Sequence, residues 1–389
     1  MNVNLSLPGA VILEGHVQGL SNIRSLGELG IPIFVVDQNL CLAQYSKYCT
    51  AHFICPPFTS DSFSVFLVDL AIKKDIHGWL LMASNDHIVE QLSKNQERLA
   101  PYYKMLVPNP VTLNRIIDKR LLMKEAQACG VKIPSTYNCN NLPEADSLHF
   151  PLLIKGSRGL SFYKKTHKKA IRIDTPEELN SELSRLSNYL TSSEFMIQEM
   201  IQAKEKDCVI SFTCFAVEGQ IKTYWMGRKL REHPIEFGTA TLAESLFEDC
   251  VLKDAIPLVR HLGYTGICEI EFIKDSSDGN YKLIEINPRT WLWVGLAKDC
   301  GIDYAKIAYR YVNDKPQTYP EYYEEGRKWI NRLTDLVFAI KALLAKRISV
   351  KDYLDSLKGK KSFAVWAKKD PLPGLVFPFL SLYIARKRR

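Results

Sequence analysis

Short apolar runs bounded by turn residues alternate with stretches whose apolar positions recur at helical spacing, so strands interleaved with helices are predicted along most of the chain. Ala10 to Leu13 reads as a strand. A turn with Gly15 and Gly19 comes next, then a helix carrying Leu20, Ile23, Leu26 and Leu29, then a strand from Ile33 to Val36 that ends at Asp37. The glycines make only part of a dinucleotide fingerprint, because the third glycine of G-x-G-x-x-G is missing. Residues 1–111 are therefore read as a Rossmann-like domain, with Glu14 and Ser84-Asn85-Asp86 at strand ends facing a substrate cleft. Beyond a boundary near 112, a helix is predicted from Asn114 to Cys129, stopped by Gly130. Leu152 to Lys155 is a strand entering the loop Gly156-Ser157-Arg158-Gly159. Thr175 to Asn188 is a helix with Thr at its N-cap and Pro first inside. Phe195 to Gln198 is a strand, and Asp207 to Val217 forms a hairpin with Gln220 to Met226. Leu292 to Asp299 and Tyr304 to Val312 read as helices. The fold class is α/β (α+β), with a helical appendage after residue 312.

One hairpin carries chemistry. In GICEIEFIKDSSDGNYKLIEINPR, residues 266–289, two strand-like runs meet at an Asp278-Gly279 turn. Alternation puts Glu269 and Glu271 on one face of the first run, and Glu285, Asn287 and Arg289 on one face of the second. A turn centred near Asp278 sets Glu271 across from Glu285, with side-chain roots roughly 5 Å apart. Like charges so placed repel, and a divalent cation removes the repulsion. Mg²⁺ suits carboxylate and amide oxygens while leaving room for phosphates. Pro288 cannot donate to a ladder, so the second strand is expected to end there, with Arg289 at a rim.

Composition narrows the class. A chain of 389 residues with 46% hydrophobic content holds a large core, enough for two or three domains. Ten cysteines are scattered without C-x-x-C or zinc-finger spacing, which fits reduced thiols in a cytoplasmic protein. The start MNVNLSLPGAVIL lacks the build of a signal peptide, and the apolar stretch Pro371 to Ala385 is short and broken by Pro373 and Pro378, so no spanning helix is expected. The net charge of +8 is concentrated at Lys164-Lys165, Lys168-Lys169, the 341–361 stretch and the terminal Arg386-Lys387-Arg388-Arg389. Phosphate-bearing or acidic partners are favoured; no nucleic-acid module accompanies the charge, so nucleic acid is not expected. The basic tail beside Phe377, Phe379, Leu380, Leu382 and Tyr383 has two readings: peripheral contact with an anionic membrane, or a helix docked on its own domain. No motif speaks to oligomeric state.

The order of motifs resembles the ATP-grasp ligase superfamily over roughly residues 10 to 312. Asp118-Lys119 opens a helix, KIP comes after Gly130, Lys155 ends a strand before a glycine-containing loop, QEMI stands at 198–201, and EIEF precedes EINPR. The resemblance implies an ATP-grasp domain at 112–312, with a lid subdomain at about 119–200 and a metal-binding subdomain at about 201–312, and then an appendage at 313–389. Lys119 and Lys155 would then hold ATP phosphates, with Gly156 letting backbone N–H groups approach them. Gly rather than Pro comes after Lys155, and Arg158, Phe162 and Tyr163 make the loop bulky, which departs from the better-known pattern. Gln198, Glu199, Met200 and Ile201 would form the adenine hinge, and Asp207 would receive the ribose hydroxyls. Glu271, Glu285 and Asn287 would hold Mg²⁺, or Mn²⁺ in its place. Arg289 would contact the transferred phosphoryl group or an acyl phosphate, and Arg228 the substrate carboxylate. His233 is a candidate base.

The reaction so implied activates a carboxylate as its acyl phosphate with ATP, and an amine then displaces phosphate to form an amide. GTAT at 238–241, EINPRTWLW and KDPLP resemble the D-aspartate ligase type of carboxylate-amine ligase, which implies joining an amino acid to a peptide, cell-wall precursor or surface glycan. Two other readings stand beside it. A biotin-carboxylase-like enzyme would need a separate carrier, since no M-K-M acceptor is present. A non-catalytic ATP-binding regulator would be expected to have lost an acid or a lysine from the set, and none is lost.

Overall fold

The computed structural model describes residues 8–387 apart from 140, 145–146, 203–208 and 234–237. Its N-terminal part is a parallel sheet of β1 (Ala10–Leu13), β2 (Ile33–Asp37), β3 (Ala51–Ile54), β4 (Trp79–Ala83) and β5 (Tyr103–Met105), in the order β3-β2-β1-β4-β5. β1 and β2 are buried on both faces and accordingly read as continuous apolar runs. Strand order reverses between β1 and β4, so the crevice lies at their C-terminal ends, where Glu14 and Ser84 to Asp86 stand.

A second, four-stranded antiparallel sheet contains β6 (Thr136–Tyr137), β7 (Leu152–Gly156), β8 (Ala170–Ile173) and β9 (Phe195–Glu199), in the order β6-β9-β7-β8. Its own core joins Leu152, Ile154, Ile197 and Leu186. Thr175 caps the helix Pro176–Ser187, its hydroxyl accepting from the Glu178 N–H.

The largest sheet has seven strands in the order β14-β13-β10-β11-β12-β15-β16. They are β10 (Val209–Val217), β11 (Gln220–His233), β12 (Thr239–Ser245), β13 (Gly266–Lys274), β14 (Tyr281–Asn287), β15 (Lys328–Ile330) and β16 (Lys361–Phe363). One face packs Phe212, Met226 and Ile270 against the helix Asp249–His261. The other carries Phe215 and Trp225 into a core shared with β1, β2 and the helix Val17–Gly27. Trp225, Trp291 and Trp293 are almost fully buried there, with Trp225 stacked on Trp291 at 6.0 Å between rings. Each such side chain removes enough apolar surface to favour burial by roughly 2–3 kcal/mol or more.

Three local outcomes differ from the sequence reading. The helix expected from Asn114 to Cys129 is two helices, Pro110–Ile117 and Lys119–Ala128. They break at Asp118, whose backbone is extended and whose carboxylate accepts from the Arg120 N–H as an N-cap. The glycine-containing loop after Lys155 gives way at once to the helix Gly159–Thr166, because Phe162 is buried in the core of the small sheet rather than standing in a loop. The segment beyond 312 adds β15 and β16 to the large sheet alongside its helices.

Candidate active site

The acidic hairpin forms in the expected register, with Glu271 opposite Glu285 and Glu269 opposite Asn287. The Asp278-Gly279 turn holds Gly279 at a φ of 72°, in the left-handed region that glycine tolerates. β10 lies on the other side of β13 and sets Ser211 opposite Glu271, and β11 in turn sets Gly227 opposite Ser211. Two residues further along β11, Lys229 therefore rises on the carboxylate face, and its Nζ lies 2.6 Å from Glu271 Oε1. Arg228 faces the other way. It pairs with Glu244 of β12 at 2.8 Å and is not part of the cavity wall, so the geometry does not support Arg228 as a substrate-carboxylate ligand.

A cavity of about 860 Å³ lies between the small and large sheets. Lys119, Lys155, Gly156, Glu199, Met200, Ile201, Glu271, Glu285, Asn287 and Arg289 all line it, and so do Lys229, Glu232 and Glu269. Lys119 is the first residue of its helix, its N–H tied to the Ser157 carbonyl at 2.8 Å and its ammonium against Glu285. Lys155 is the last residue but one of β7, with Nζ 3.1 Å from Gln198 Oε1. Gln198 is buried and holds Lys155 from behind instead of lining the cavity. The Glu199 carboxylate is engaged by Lys282 at 2.8 Å, so what the QEMI segment presents to the cavity is its backbone and the Met200 and Ile201 side chains. Asp207 and the His233 side chain lie outside the described residues.

Arg289 comes just past the end of β14 and lines the cavity. It grips Asp86 through Nε at 2.6 Å and Nη2 at 3.2 Å, and also reaches Asn287 Oδ1 at 3.1 Å. Asp86 opens the helix after β4, so this pair brings the N-terminal crevice to the acidic hairpin. Glu14 stands near it, pushed up to about 7 by burial, with a hydrogen bond to Asn85 in opposition.

Electrostatics set the roles apart. Lys119 holds the Glu285 carboxyl down at about 2 against the effect of burial. Burial pushes Glu269 up to about 7, the Glu271 charge adding to it and Lys229 opposing. Burial works against the Lys229 charge, but Glu271 and Glu269 outweigh it and hold that pKa above the ordinary lysine range. Burial, then the charge of Lys119, lowers Lys155 to about 8. The cavity thus presents ammonium and guanidinium groups interleaved with carboxylates, a surface that can receive polyphosphate and metal together.

The donor set suits Mg²⁺. Glu271, Glu285 and Asn287 offer hard oxygens, and Glu269 keeps one buried oxygen with no hydrogen-bond partner among the described residues. As they stand, no three Asp, Glu, His or Cys side chains among the described residues converge as a ready metal cluster. Lys119 and Lys229 hold two of the carboxylates, and arriving phosphates would give both lysines an alternative anion.

By sequence, residues 227–316 match the ATP-binding domain of the carbamoyl-phosphate synthase L chain, a span that runs from β11 through the whole acidic hairpin. The fold is similar to that of biotin carboxylase from Campylobacter jejuni, solved as a β,γ-ATP complex, with a TM-score of 0.63 and 15% identity over 82% of this chain and 74% of that one. The chain has the ATP-grasp fold. The chain is also similar to L-amino acid ligase from Bacillus licheniformis, with a TM-score of 0.59 and 14% identity over 80% of this chain and 75% of that one. Among curated proteins it is 22% identical over 273 residues to D-aspartate ligase from Enterococcus faecium, covering 66% of this chain. The match spans 64% of that ligase's length. Sequence reasoning passed over Lys229, the third ammonium of this cavity. The neighbouring Arg228 drew the assignment because the face of a strand residue depends on a register that single-sequence alternation leaves open.

Proposed function

We propose that this ATP-grasp protein is an ATP-dependent carboxylate-amine ligase that forms an amide through an acyl phosphate. The observation that carries the reading is the convergence of Lys119, Lys155, Lys229 and Arg289 with Glu271, Glu285 and Asn287 on one cavity. ATP phosphates would lie along Lys119 and Lys155, with the purine against Met200 and Ile201. Glu271, Glu285 and Asn287 would hold Mg²⁺, which when bound neutralises charge on the transferring phosphoryl group. The substrate carboxylate attacks the γ-phosphorus, its P–O bond to ADP breaks, and an acyl phosphate forms. Lys229 and Arg289 are placed to neutralise the oxyanions of that intermediate, Arg289 with two parallel N–H donors. An amine then attacks the acyl carbon, the C–O bond to phosphate breaks, and the amine proton leaves with the departing phosphate as the amide forms. The likeness to D-aspartate ligase and L-amino acid ligase supports an amino acid as one substrate. The acceptor would be an amine on a peptide, cell-wall precursor or surface glycan.

The test is an ADP-release screen over amino acids paired with candidate amines, and then mass measurement of the product. An amide product with stoichiometric ADP is expected, and Glu285→Gln and Lys155→Ala are each expected to reduce turnover by at least about a hundredfold without loss of fold. ADP release that depends on bicarbonate and biotin, and on no amine, would replace the reading with a carboxylation. ATP binding without turnover under any pairing would replace it with a regulatory protein.

A further inference from the structure

The helix Leu372–Lys387 is apolar on two sides. Val376, Phe377, Leu380, Tyr383 and Ile384 pack on the shared core, so the tail does dock on its own body. Leu372, Leu375, Phe379 and Leu382 recur at helical spacing on the opposite side, Phe379 74% and Leu382 65% exposed. The helix Arg332–Leu344 repeats the arrangement: Phe338, Ala339 and Ala342 are buried, whereas Leu336, Ile340 and Leu344, spaced four apart, face outward. Both helices attach around the edge strand β16. Arg332 stacks over Phe363 at 4.0 Å, and Trp366 packs against the backbone at Gly374. A helix apolar all round belongs in a surround of apolar matter, and exposed stripes of this extent mark a surface made to be covered.

Charge selects what covers it. Residues 332–389 contain fourteen Lys and Arg against four Asp and no Glu, so the whole net charge of +8 resides in this segment and the rest of the chain is slightly acidic. Two of those four acids turn inward, Asp335 onto Arg231 and Asp370 onto Arg24, which leaves the outward surface more cationic still. Lys368 and Lys369 precede one stripe and Lys346 and Arg347 come after the other, all exposed. Apolar stripes framed by cations fit an anionic bilayer, whereas a second copy would set like charge against like. We propose that the helices Arg332–Leu344 and Leu372–Lys387 dock this protein on an anionic lipid surface, lying in the interface. Among the described residues no helix is long and apolar enough to cross a membrane.

The experiment is co-sedimentation of the full chain with vesicles of phosphatidylcholine alone and of phosphatidylcholine mixed with phosphatidylglycerol. Binding to the mixed vesicles, weakened by salt, is expected. The pair Phe379→Ser and Leu382→Ser should lower the partition coefficient at least about tenfold with near-ultraviolet circular dichroism unchanged, because neither side chain supports the core. The pair Lys368→Glu and Lys369→Glu tests the same surface through charge and should weaken binding to the anionic vesicles alone. Equal binding to neutral vesicles, or binding undiminished in both variants, would overturn the proposal. Self-association in sedimentation velocity that the serine pair abolishes, without vesicle binding, would also overturn it and assign the stripes to a second copy.

Discussion

Lys155 is the residue whose environment makes the sharpest demand. Its ammonium is buried beside Lys119 and is lowered to about 8, so in the free protein it carries its proton below pH 8 and sheds it above. Phosphate oxygens stabilise the charged form and must raise that pKa on binding. Above pH 8, then, nucleotide binding takes up a proton and affinity falls as pH rises; well below pH 8 no proton is exchanged by this group. Calorimetry of ADP binding without metal, in buffers of different ionisation enthalpy, should show uptake approaching one proton near pH 9 and none from this group near pH 6.5. Lys155→Arg should flatten the dependence, since guanidinium stays charged. A profile unchanged by that substitution would remove Lys155 from the phosphate contacts. At this scale the acidic hairpin was legible because its pairing is local: a short turn, with alternation on both sides. Lys229 was not, since it reaches Glu271 only through the intervening β10. Arg228 shows how little separates the two, one position along a strand being the difference between the cavity wall and the opposite face.

Elements were legible where periodicity and caps agreed, as in the helix Pro176–Ser187 with Thr175 at its cap. They were missed where one residue outweighed a pattern, as Asp118 does in breaking a run that reads as continuous helix and so setting Lys119 at a helix start. The strands β15 and β16 had no usable signal, because strands of three residues have no period to read and exist only as additions to a sheet edge. What fixes that edge is a buried ion pair. Arg231 of β11 grips Asp335 with two bonds of 2.8 Å, Thr241 and Tyr353 also donate to Asp335, and the guanidinium stacks on Tyr353 at 4.9 Å. The Asp335 side chain is fully buried and that of Arg231 nearly so. Asp335→Ala strands the guanidinium without its anion and should cost about 3–5 kcal/mol, read by urea denaturation. Adding Arg231→Met to an Asp335→Leu background should recover most of the loss, because a matched apolar pair leaves no orphaned charge. A cost below about 1 kcal/mol for the alanine variant would mean that water or another anion replaces the aspartate.

For the whole molecule, the order of motifs pointed to the ATP-grasp fold that the structure shows, but the stiffness of the parts was not readable from it. The N-terminal sheet and the seven-stranded sheet share one core through Leu20, Val35, Trp225 and Trp291, so they behave as one body. The four-stranded sheet keeps a separate core, and no residue of it belongs to the shared one. Its ties to the body include Met196 of β9, buried in the core on the other face of the large sheet, Glu199 held by Lys282 at 2.8 Å, and, nearer the surface, Arg158 with Glu90 at 3.0 Å, each side chain more than a third exposed. An exposed pair of that kind holds little, roughly 0–1 kcal/mol. The cavity lies between these unequally held parts, with Lys155 and Met200 on one wall and Glu271 and Glu285 on the other. Nucleotide with Mg²⁺ would bridge the walls and restrain the looser part most. Hydrogen exchange should therefore slow at least about tenfold in β7 to β9 when ADP and Mg²⁺ are added, while amides of β1 and β2 change little. Protection spread evenly into β1 and β2 would mean that the small sheet moves with the rest as one rigid unit. No change in β7 to β9 would place the nucleotide away from Lys155.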